Sequence, residues 1–398
     1  MLKDKSTGAT GLLETSGKVI NKIFLIGNGF DLSLNLKTRY EDFLLWYFKR
    51  FISKCFINPV RHTKSRGLLY NYHDDELFTY YNKDYREFDA KFLADFENLP
   101  YPKIKEFILN NPHRFIRNFN SPLFESIFDN SIRGWVDIEK IYYDLLNIER
   151  KKGETSKIEK LNNDLKIITG LLKEYLLTID CSISNKNEIA NSYIHQFISK
   201  VKPEDVIDDQ PEKSIITEKI LFLNFNYTSA LSNIINFIPA YSQGEFTHSN
   251  CSLNHIHGRI DYDNDDLIFG YGDEMDKDYK EIEDLNDNHY LENFKSFKYN
   301  HYPNYRDLLR FVNSNPYQVS IYGHSCGLSD RVMLNEIFEH DNCKSIKIYY
   351  YNKQEFVDKN MEISRHFNSN KLMRQRIVEF NESDKIPQVQ IPTEKKSD

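Results

Sequence analysis

The stretch Lys22-Ile23-Phe24-Leu25-Ile26-Gly27-Asn28-Gly29 decides the fold class of this chain. A short apolar run that is stopped by two glycines is typical of a buried strand followed by a tight turn. Residues 40–51 then show the periodicity of a helix. Glycine tolerates positive φ and lacks a Cβ, so the amides of such a turn can cradle a phosphate. The sequence therefore predicts strand, turn and helix, in which the glycines serve either a tight turn alone or a nucleotide site.

Near-continuous apolar runs return in the last part of the chain and predict the rest of a sheet. They cover residues 220–225, 254–257, 267–269, 318–322 and 345–351. Segments of helical character separate them, which is the pattern of a parallel sheet covered by helices on both faces. We therefore predict an α/β fold with a doubly wound, mostly parallel sheet of the Rossmann-like kind.

The region between these two groups of strands differs in composition. Residues 61–214 are rich in Lys, Glu, Asn and Leu, and their apolar residues lie three and four apart, which predicts a mostly helical insertion. The α/β nucleotide-binding domain would then comprise residues 21–60 and 215–385, with flexible segments at 1–20 and 386–398. Such sheets bind ligands at the carboxyl ends of their strands, so we expect a site there, with the insertion as its lid.

Composition argues against several classes of function. The 398-residue chain carries 52 Lys and Arg against 59 Asp and Glu, a net charge of −7, so it lacks the cationic excess that non-specific nucleic-acid binding requires. Its five cysteines are scattered without CxxC spacing, which favours reduced thiols over disulfides or a zinc site. No apolar run reaches the roughly 18 residues of a membrane helix. We therefore expect a cytoplasmic protein that uses no metal.

Two polar motifs follow predicted strands. Asn224 and Asn226 end one strand, where an amide either contacts a ligand through its donor and acceptor or caps the following helix. In the His255-Ile256-His257-Gly258 motif, an extended backbone would place both histidines on one face. Such a pair indicates a general base in a cleft, a metal site, or ordinary structural histidines, and no neighbouring carboxylate or cysteine completes a set of metal ligands.

The Gly323-His324-Ser325-Cys326-Gly327 motif fits the GxSxG pattern of a nucleophile elbow and stands between a predicted strand and a predicted helix. A serine hydrolase also needs an Asp, a His and an oxyanion hole. Only His340 and His366 follow Ser325, both in or beside segments of helical character, and no HGGG segment precedes it. The motif therefore indicates either a serine nucleophile or a loop that shapes a ligand site.

The order of these motifs resembles the AbiH family of bacterial phage abortive-infection proteins. The family has five motifs, and each has a counterpart here: IGNGFDL at residues 26–32, W-x-D-I-E at 135–139, F-N-Y-T at 225–228, H-x-H-G at 255–258, and GHS with a later Asp at 323–325 and Asp330. The likeness spans residues from about 22 to 351. Asn35 and Lys37 stand where the family has Gly and Pro, and Asn35 is expected to preserve the turn because Asn tolerates left-handed φ.

AbiH proteins in turn are similar to SIR2-type NAD-binding proteins. This resemblance implies that Gly27 and Gly29 hold the NAD diphosphate, that Asn226 orients the ribose or a water molecule, and that His257 is the base. Asp31 would contact a ribose hydroxyl or structure the turn. Further ligand-binding residues implied by the motifs are Asn28, Phe30, Tyr227, Gly323, His324, Ser325 and Asp330. Thr228 departs from the SIR2 pattern, which has Asp after the Asn.

The resemblance implies an anti-phage protein that binds NAD and hydrolyses its nicotinamide–ribose bond when infection triggers it. The alternatives are a sensor that binds a nucleotide without turnover and a serine hydrolase that uses Ser325. A phage component or a second defence protein is the expected partner, and the chain is a candidate for homo-oligomer formation. A membrane is not expected.

Overall fold

The computed structural model describes residues 18–57, 60–61, 69–82, 90–110, 115–131, 137–182, 187–207, 214–243, 246–247, 249–261, 267–272 and 274–389. The strands are β1 (Lys18–Val19), β2 (Asn21–Ile26), β3 (Val60–Arg61), β4 (Leu69–Asp74), β5 (Phe78–Asn82), β6 (Phe115–Phe119), β7 (Ile215–Ile216), β8 (Ile220–Asn224), β9 (Cys251–His255), β10 (Tyr317–Tyr322) and β11 (Cys343–Tyr349). The helices are α1 (Asn28–Ser33), α2 (Tyr40–Ile57), α3 (Ala90–Glu97), α4 (Tyr101–Asn110), α5 (Pro122–Asn130), α6 (Ile138–Lys152), α7 (Thr155–Leu176), α8 (Asn187–Ile198), α9 (Ala230–Ile235), α10 (Ile238–Tyr241), α11 (Lys277–Glu283), α12 (Lys295–Tyr299), α13 (Asn304–Ser314), α14 (Arg331–Glu339), α15 (Lys353–Ser364) and α16 (Asn370–Arg376).

Five parallel strands form one sheet in the order β11-β10-β2-β8-β9. Numbered along the chain within this sheet, the strands follow the 3-2-1-4-5 order of a doubly wound fold, and the direction of winding reverses between β2 and β10. The predicted α/β class and parallel sheet are confirmed. The finer likeness to SIR2-type proteins stays a prediction.

Helices cover both faces of this sheet. Ile23 and Leu25 of β2 pack on one face with side chains of α13, α14 and α15, while Phe24 and Ile26 pack on the other with side chains of α8 and α9. All six residues of β2 are buried. This explains why its last four residues, Ile23 to Ile26, are all apolar instead of alternating with polar residues.

The other predicted strands agree with the structure to different degrees. The runs at 220–225, 318–322 and 345–351 are confirmed as β8, β10 and β11, and the run at 254–257 belongs to a strand that begins earlier, at Cys251, and ends at His255. The prediction of a strand at residues 267–269 is wrong. This segment is irregular, and among the described residues its one hydrogen bond to another backbone atom runs from Ile268 N to His257 O at 2.9 Å, so it forms no ladder.

Of the two reasons predicted for the glycines after β2, the structure bears out the lack of a Cβ and not positive φ. Gly27 has φ −121° and Gly29 lies in α1, so neither adopts a left-handed conformation. Instead, a Cβ on Gly27 would lie 2.5 Å from His324 Cα, and a Cβ on Gly29 would lie 2.8 Å from Gly323 Cα. The glycines let two backbones touch. The left-handed residue is Asn35, with φ 61°, which confirms the turn expected there.

The region of residues 61–214 is only partly helical. Helices α3 to α8 lie in it, but β3, β4, β5 and β6 form a four-stranded antiparallel sheet that the prediction missed. Within β5, Phe78 and Tyr80 are buried and Thr79 is more exposed, a strand period of two. This period extends over too few residues to stand out beside the long helical repeats around it.

One apolar cluster joins this region to the chain on either side of it. Phe43 and Phe48 of α2 pack in the cluster with Phe124 of α5, and Phe294, just before α12, belongs to it as well. Side chains from both sides of the predicted limits at 61 and 214 therefore share one core. The division into domains itself stays a prediction.

The predicted flexible ends are described only in part, because residues 1–17 and 390–398 lie outside the described residues. β1 pairs in parallel with β7. At the other end, Val389 N donates to Ser33 O at 2.9 Å and Tyr193 OH donates to Pro387 O at 2.9 Å. Residues 18–19 and 387–389 are therefore bound to the rest of the protein.

We expect Gly29→Ala to lower the thermal stability. Its Cβ would lie 2.8 Å from Gly323 Cα and 2.9 Å from Gly323 O, and overpacking against backbone costs about 1–3 kcal/mol. Gly170→Ala is the matched control, because its Cβ would meet no atom within 4 Å and Ala is favoured inside a helix such as α7. Circular dichroism melts should show a lower Tm for the first variant and an equal or higher Tm for the second. An unchanged Tm for Gly29→Ala would contradict the backbone contact.

Candidate functional site

A cleft opens at the carboxyl edge of the parallel sheet, beside the reversal between β2 and β10. Its volume is about 890 Å³, including open solvent at its mouth. The loops that follow β2, β8, β9 and β10 form one side, while Asp137 and Glu139 at the start of α6 and Leu172 and Leu176 at the end of α7 line the other. The cleft therefore lies where doubly wound sheets bind ligands.

Most of the predicted site residues meet in this cleft. Those that line it are Gly27, Asn28, Asp31, Asn226, Tyr227, His257, His324, Ser325 and Asp330. Gly29 and Gly323 pack against each other instead, and Phe30 is buried in the core beside Tyr193 and Tyr322. The structure brings the lining residues together, and their functional roles stay predictions.

Three amides of the glycine turn already have acceptors. Gly27 N donates to Tyr322 O at 3.3 Å, Gly29 N donates to Gly323 O at 2.8 Å, and Phe30 N donates to Gly27 O at 2.9 Å. A phosphate cradle built from these amides would break the bonds that hold the loops after β2 and β10 together. The turn at Gly27 and Gly29 therefore has a structural role, and its role in binding a ligand stays a prediction.

Asp31 lies at the centre of a buried cluster of hydrogen bonds. Its Oδ1 accepts from Asn226 Nδ2 at 2.9 Å, and its Oδ2 accepts from Thr228 Oγ1 at 2.7 Å. Asn226 Nδ2 also donates to Gly27 O at 3.0 Å. Because both partners of this nitrogen are acceptors, the amide has one orientation, and Asn226 Oδ1 is left for a donor on a ligand. These contacts support the structural role that was one of two expected for Asp31.

His257 is buried and faces Asp330. Its Nε2 lies 3.2 Å from Asp330 Oδ1 and 3.4 Å from Tyr299 OH. Burial, together with the nearby Lys295 ammonium, lowers the pKa of His257 to about 4. The ring is therefore neutral at pH 7, with its Nε2 proton directed at the carboxylate. Within the described part of the chain, no hydrogen bond involves Nδ1, so that lone pair is available in a ring that lines the cleft.

Two further residues complete this centre, and the sequence reasoning assigned a role to neither. The side chain of Lys295 is fully buried and donates to Asp330 Oδ1 at 2.7 Å and to Glu139 Oε2 at 2.8 Å. Glu139 Oε1 accepts from Gly270 N at 3.0 Å. Glu139 ends the W-x-D-I-E motif, which could have pointed to it, whereas Lys295 stands in no recognised motif. Residues 135–136 of that motif lie outside the described residues.

Two local interpretations of the polar motifs are wrong. β9 ends at His255 and Gly258 has φ 85°, so the chain turns and the two histidines of the motif do not lie on one extended strand. His257 reaches the cleft, whereas His255 does not line it. Asn226 does not cap the next helix, because Ser229 occupies the N-cap position of α9.

The loop after β10 lacks the geometry of a nucleophile elbow. In an elbow the serine itself takes the strained conformation, but here positive φ occurs at Gly323 (72°) and Cys326 (55°). His324 Nδ1 accepts from Cys326 N at 3.0 Å, and His366 Nε2 lies 2.8 Å from Cys326 O. Across the described ranges, no histidine ring is bonded to Ser325 Oγ. These contacts favour a loop that shapes the ligand site.

Acidic groups dominate the cleft. Asp31, Asp137, Glu139 and Asp330 line it, and its described lining contains no Lys or Arg. Burial raises the pKa of Asp31 and of Glu139 to about 7 and raises that of Asp137. At Asp330, Lys295 and the two histidines together outweigh burial and hold the pKa well below its usual range. Among the described residues, no group of His, Cys, Asp or Glu could hold a metal ion. The cleft therefore suits a ligand or a transition state that carries positive charge.

Fold and cleft together define an α/β protein with an acidic cleft at the reversal of a doubly wound sheet. The family model described as "Bacteriophage abortive infection AbiH" matches residues 23–352. The chain therefore belongs to this family of abortive-infection proteins, as its motifs suggested. Searches of curated proteins and of solved structures found no match. Of the helices that the structure describes, none is long and apolar enough to cross a membrane.

We expect Asp31→Asn to stabilise the protein increasingly as the pH rises. The folded-state pKa of Asp31, about 7, exceeds the ordinary value of 3.8, so between these values the folded state holds a proton that the unfolded chain lacks. The stability that this group contributes is present below pH 3.8 and is lost as the pH rises through 7. The variant amide keeps an acceptor for Asn226 and a donor for Thr228, and it does not titrate.

The measurement is the Tm of Asp31→Asn and of the unaltered protein at pH 5 and pH 8. The difference should widen by about 2 °C or more toward pH 8. Asp341→Asn, at an exposed position, controls for the change in net charge. A difference that is the same at both pH values would contradict the raised pKa of Asp31.

Proposed function

We propose that this protein binds NAD in the cleft and hydrolyses its nicotinamide–ribose bond in the cytoplasm of an infected cell. Membership of the abortive-infection family supports the defence role. The observation that carries the enzymatic part is a neutral His257 that faces a cleft lined by carboxylates.

The charge of the cleft supports this reaction over the alternatives. Cleavage of a glycosidic bond passes through an oxocarbenium-like state, in which positive charge develops on the ribose. Negative charge fixed in advance stabilises such a state, and Asp330, whose pKa lies well below its usual range, supplies it beside the carboxyl groups of Asp31, Asp137 and Glu139. Ester hydrolysis at Ser325 would instead develop an oxyanion, which the same carboxylates oppose.

Asn226 and His257 would divide the chemical work. Asn226 Oδ1 accepts a hydrogen bond from a ribose hydroxyl, because Gly27 and Asp31 hold its amide nitrogen. His257 Nδ1 takes the proton of the water that bonds to the ribose carbon, while nicotinamide leaves with the electrons of the broken bond. Asp330, 3.2 Å from Nε2, stabilises the imidazolium that forms.

The wall that α7 contributes suits a planar leaving group. Leu172, Leu176 and Phe269 are apolar, and Tyr40 and Asp137 add a hydroxyl and a carboxyl to the same cleft. An aromatic ring with a carboxamide needs both kinds of surface, since apolar walls hold the ring and a few polar groups orient it. We therefore place the nicotinamide on this wall, facing the ribose at Asn226.

We expect His257→Ala to lower NAD turnover by roughly 10²–10⁴-fold while NAD still binds, since a general base contributes about that much. Asn226→Ala should also lower turnover, and the double variant should fall little below the worse single variant because the two residues act together. Nicotinamide release, calorimetric NAD binding and Tm are measured on the same preparations, with and without phage components.

His255→Ala is the matched control, because this buried histidine lies two residues away and does not line the cleft. The His255→Ala variant should keep the NAD turnover of the unaltered protein per folded molecule. A stable, fully active His257→Ala would contradict the mechanism. Saturable NAD binding without nicotinamide release under any condition would indicate the non-catalytic sensor instead.

Ser325 separates the proposal from the serine-hydrolase alternative. We expect Ser325→Ala to keep most of the NAD turnover, because no described histidine is positioned to activate this hydroxyl. A serine-reactive phosphonate should leave the unaltered protein active. Complete loss of activity in a folded Ser325→Ala that still binds NAD would revive the hydrolase.

A further inference from the structure

A buried ion cluster links His257 to the opposite side of the cleft. Asp330 Oδ1 accepts from Lys295 Nζ at 2.7 Å and lies 3.2 Å from His257 Nε2, so one oxygen atom holds both groups. Lys295 also donates to Glu139 Oε2 at 2.8 Å, in the first turn of α6. The imidazole is thus connected to α6 through two carboxylates and one ammonium.

We propose that Lys295 is a positioning residue that holds Asp330 against His257 and so keeps Nδ1 of the ring turned toward the ligand, with Glu139 holding Lys295 in place from α6. This assignment rests on the proposed function. Lys295 does not line the cleft, and it acts on His257 through Asp330 and through its own positive charge.

The free-energy cost of burying Lys295 with two carboxylates argues against a merely structural role for these residues. Removing an ammonium and two carboxylates from water is expensive, and an apolar replacement of similar volume is often as stable. α6 also does not need Glu139 to be held in place. The ring of Tyr143 stacks on Tyr271 with centroids 3.9 Å apart, and Arg150 pairs with Glu281 at 2.7 Å. The ion cluster therefore serves something other than the docking of α6.

The surroundings of His257 explain how Lys295 acts on it. Tyr299 and Tyr227 lie near the ring, and burial raises the pKa of both hydroxyls well above the usual value, so both stay neutral. His324 lies across Asp330, 3.7 Å from its Oδ2, and burial lowers its pKa.

Among the described residues, the charged groups that act most on His257 are Lys295 and Asp330, with a smaller effect of His324 and with Glu139 behind the lysine. Without the Lys295 ammonium, Asp330 Oδ1 would keep His257 Nε2 as its hydrogen-bond partner and would lose the positive charge beside it. The ring would then take up a proton more readily and would lose its fixed unprotonated Nδ1.

The experiment follows the titration and tautomer of His257 by NMR of the ring nitrogens in the full-length protein without ligand. Lys295→Met should raise the titration midpoint by about 1–2 pH units, because a like charge is removed. Glu139→Gln keeps the ammonium, so it should not raise the midpoint. Lys298→Met is the matched control, because Lys298 lies one turn further along α12 and donates to Phe269 O and Asn293 Oδ1, not to the carboxylates of the cluster.

The double variant Lys295→Met/Glu139→Gln preserves the overall charge balance and replaces the single variant if that does not fold. NAD turnover is the second readout, and a misplaced base should lower kcat by roughly 10²-fold while KM changes little. An unchanged midpoint in a folded variant without Lys295 overturns the proposal. A raised midpoint supports the link between Lys295 and His257, whereas absence of nicotinamide release from the unaltered protein overturns the proposed function alone.

Discussion

The contact between two backbones at the reversal of the parallel sheet is the constraint on which the cleft depends. Gly27 and Gly29 after β2 lie so close to Gly323 and His324 after β10 that a Cβ would come within 3 Å of a neighbouring backbone atom. The bond from Asn226 to Gly27 O adds the loop after β8 to the same contact. Three strand ends are thereby joined, and the polar side chains that follow them face one space.

The parallel sheet could be predicted because its signal is local: each central strand is an apolar run stopped by turn residues. The side chains that follow those runs could be predicted for the same reason, and His257 and Asn226 do reach the cleft. A glycine pattern alone does not distinguish positive φ from close backbone contact. The pattern therefore predicts positive φ at Gly27 and Gly29, whereas the residues with positive φ near them are Asn35 and Gly323.

The ion cluster could not be predicted from local patterns. Lys295 meets Asp330 across 35 positions of the chain and Glu139 across 156, and such a pairing is decided by the packing of α6 against the chain before β10. The short antiparallel strands β4 to β6 were missed for a related reason. Their partners lie in neighbouring strands, and each strand by itself carries only a few alternating residues.

Thr228 shows how one departure from a related pattern changes the electrostatics of a site. A second carboxylate at this position would lie beside Asp31, whereas the hydroxyl of Thr228 donates to Asp31 Oδ2 at 2.7 Å. This hydrogen bond favours the charged form of Asp31 and offsets part of the effect of burial, which raises its pKa to about 7. The acidity of the cleft is concentrated around Asp330 and Glu139, where one buried ammonium offsets part of it.

The apolar cluster that holds Phe43, Phe124 and Phe294 has a consequence for how the protein can be taken apart. The chain contributes to this cluster from α2, after the first strand of the parallel sheet, and again before the fourth, so the region between residues 61 and 214 shares apolar packing with the chain on either side of it. Excision of residues 61–214 would leave the aromatic face of α2 without its packing partners. The protein should therefore unfold in one cooperative transition, and fragments that carry only the sheet should aggregate.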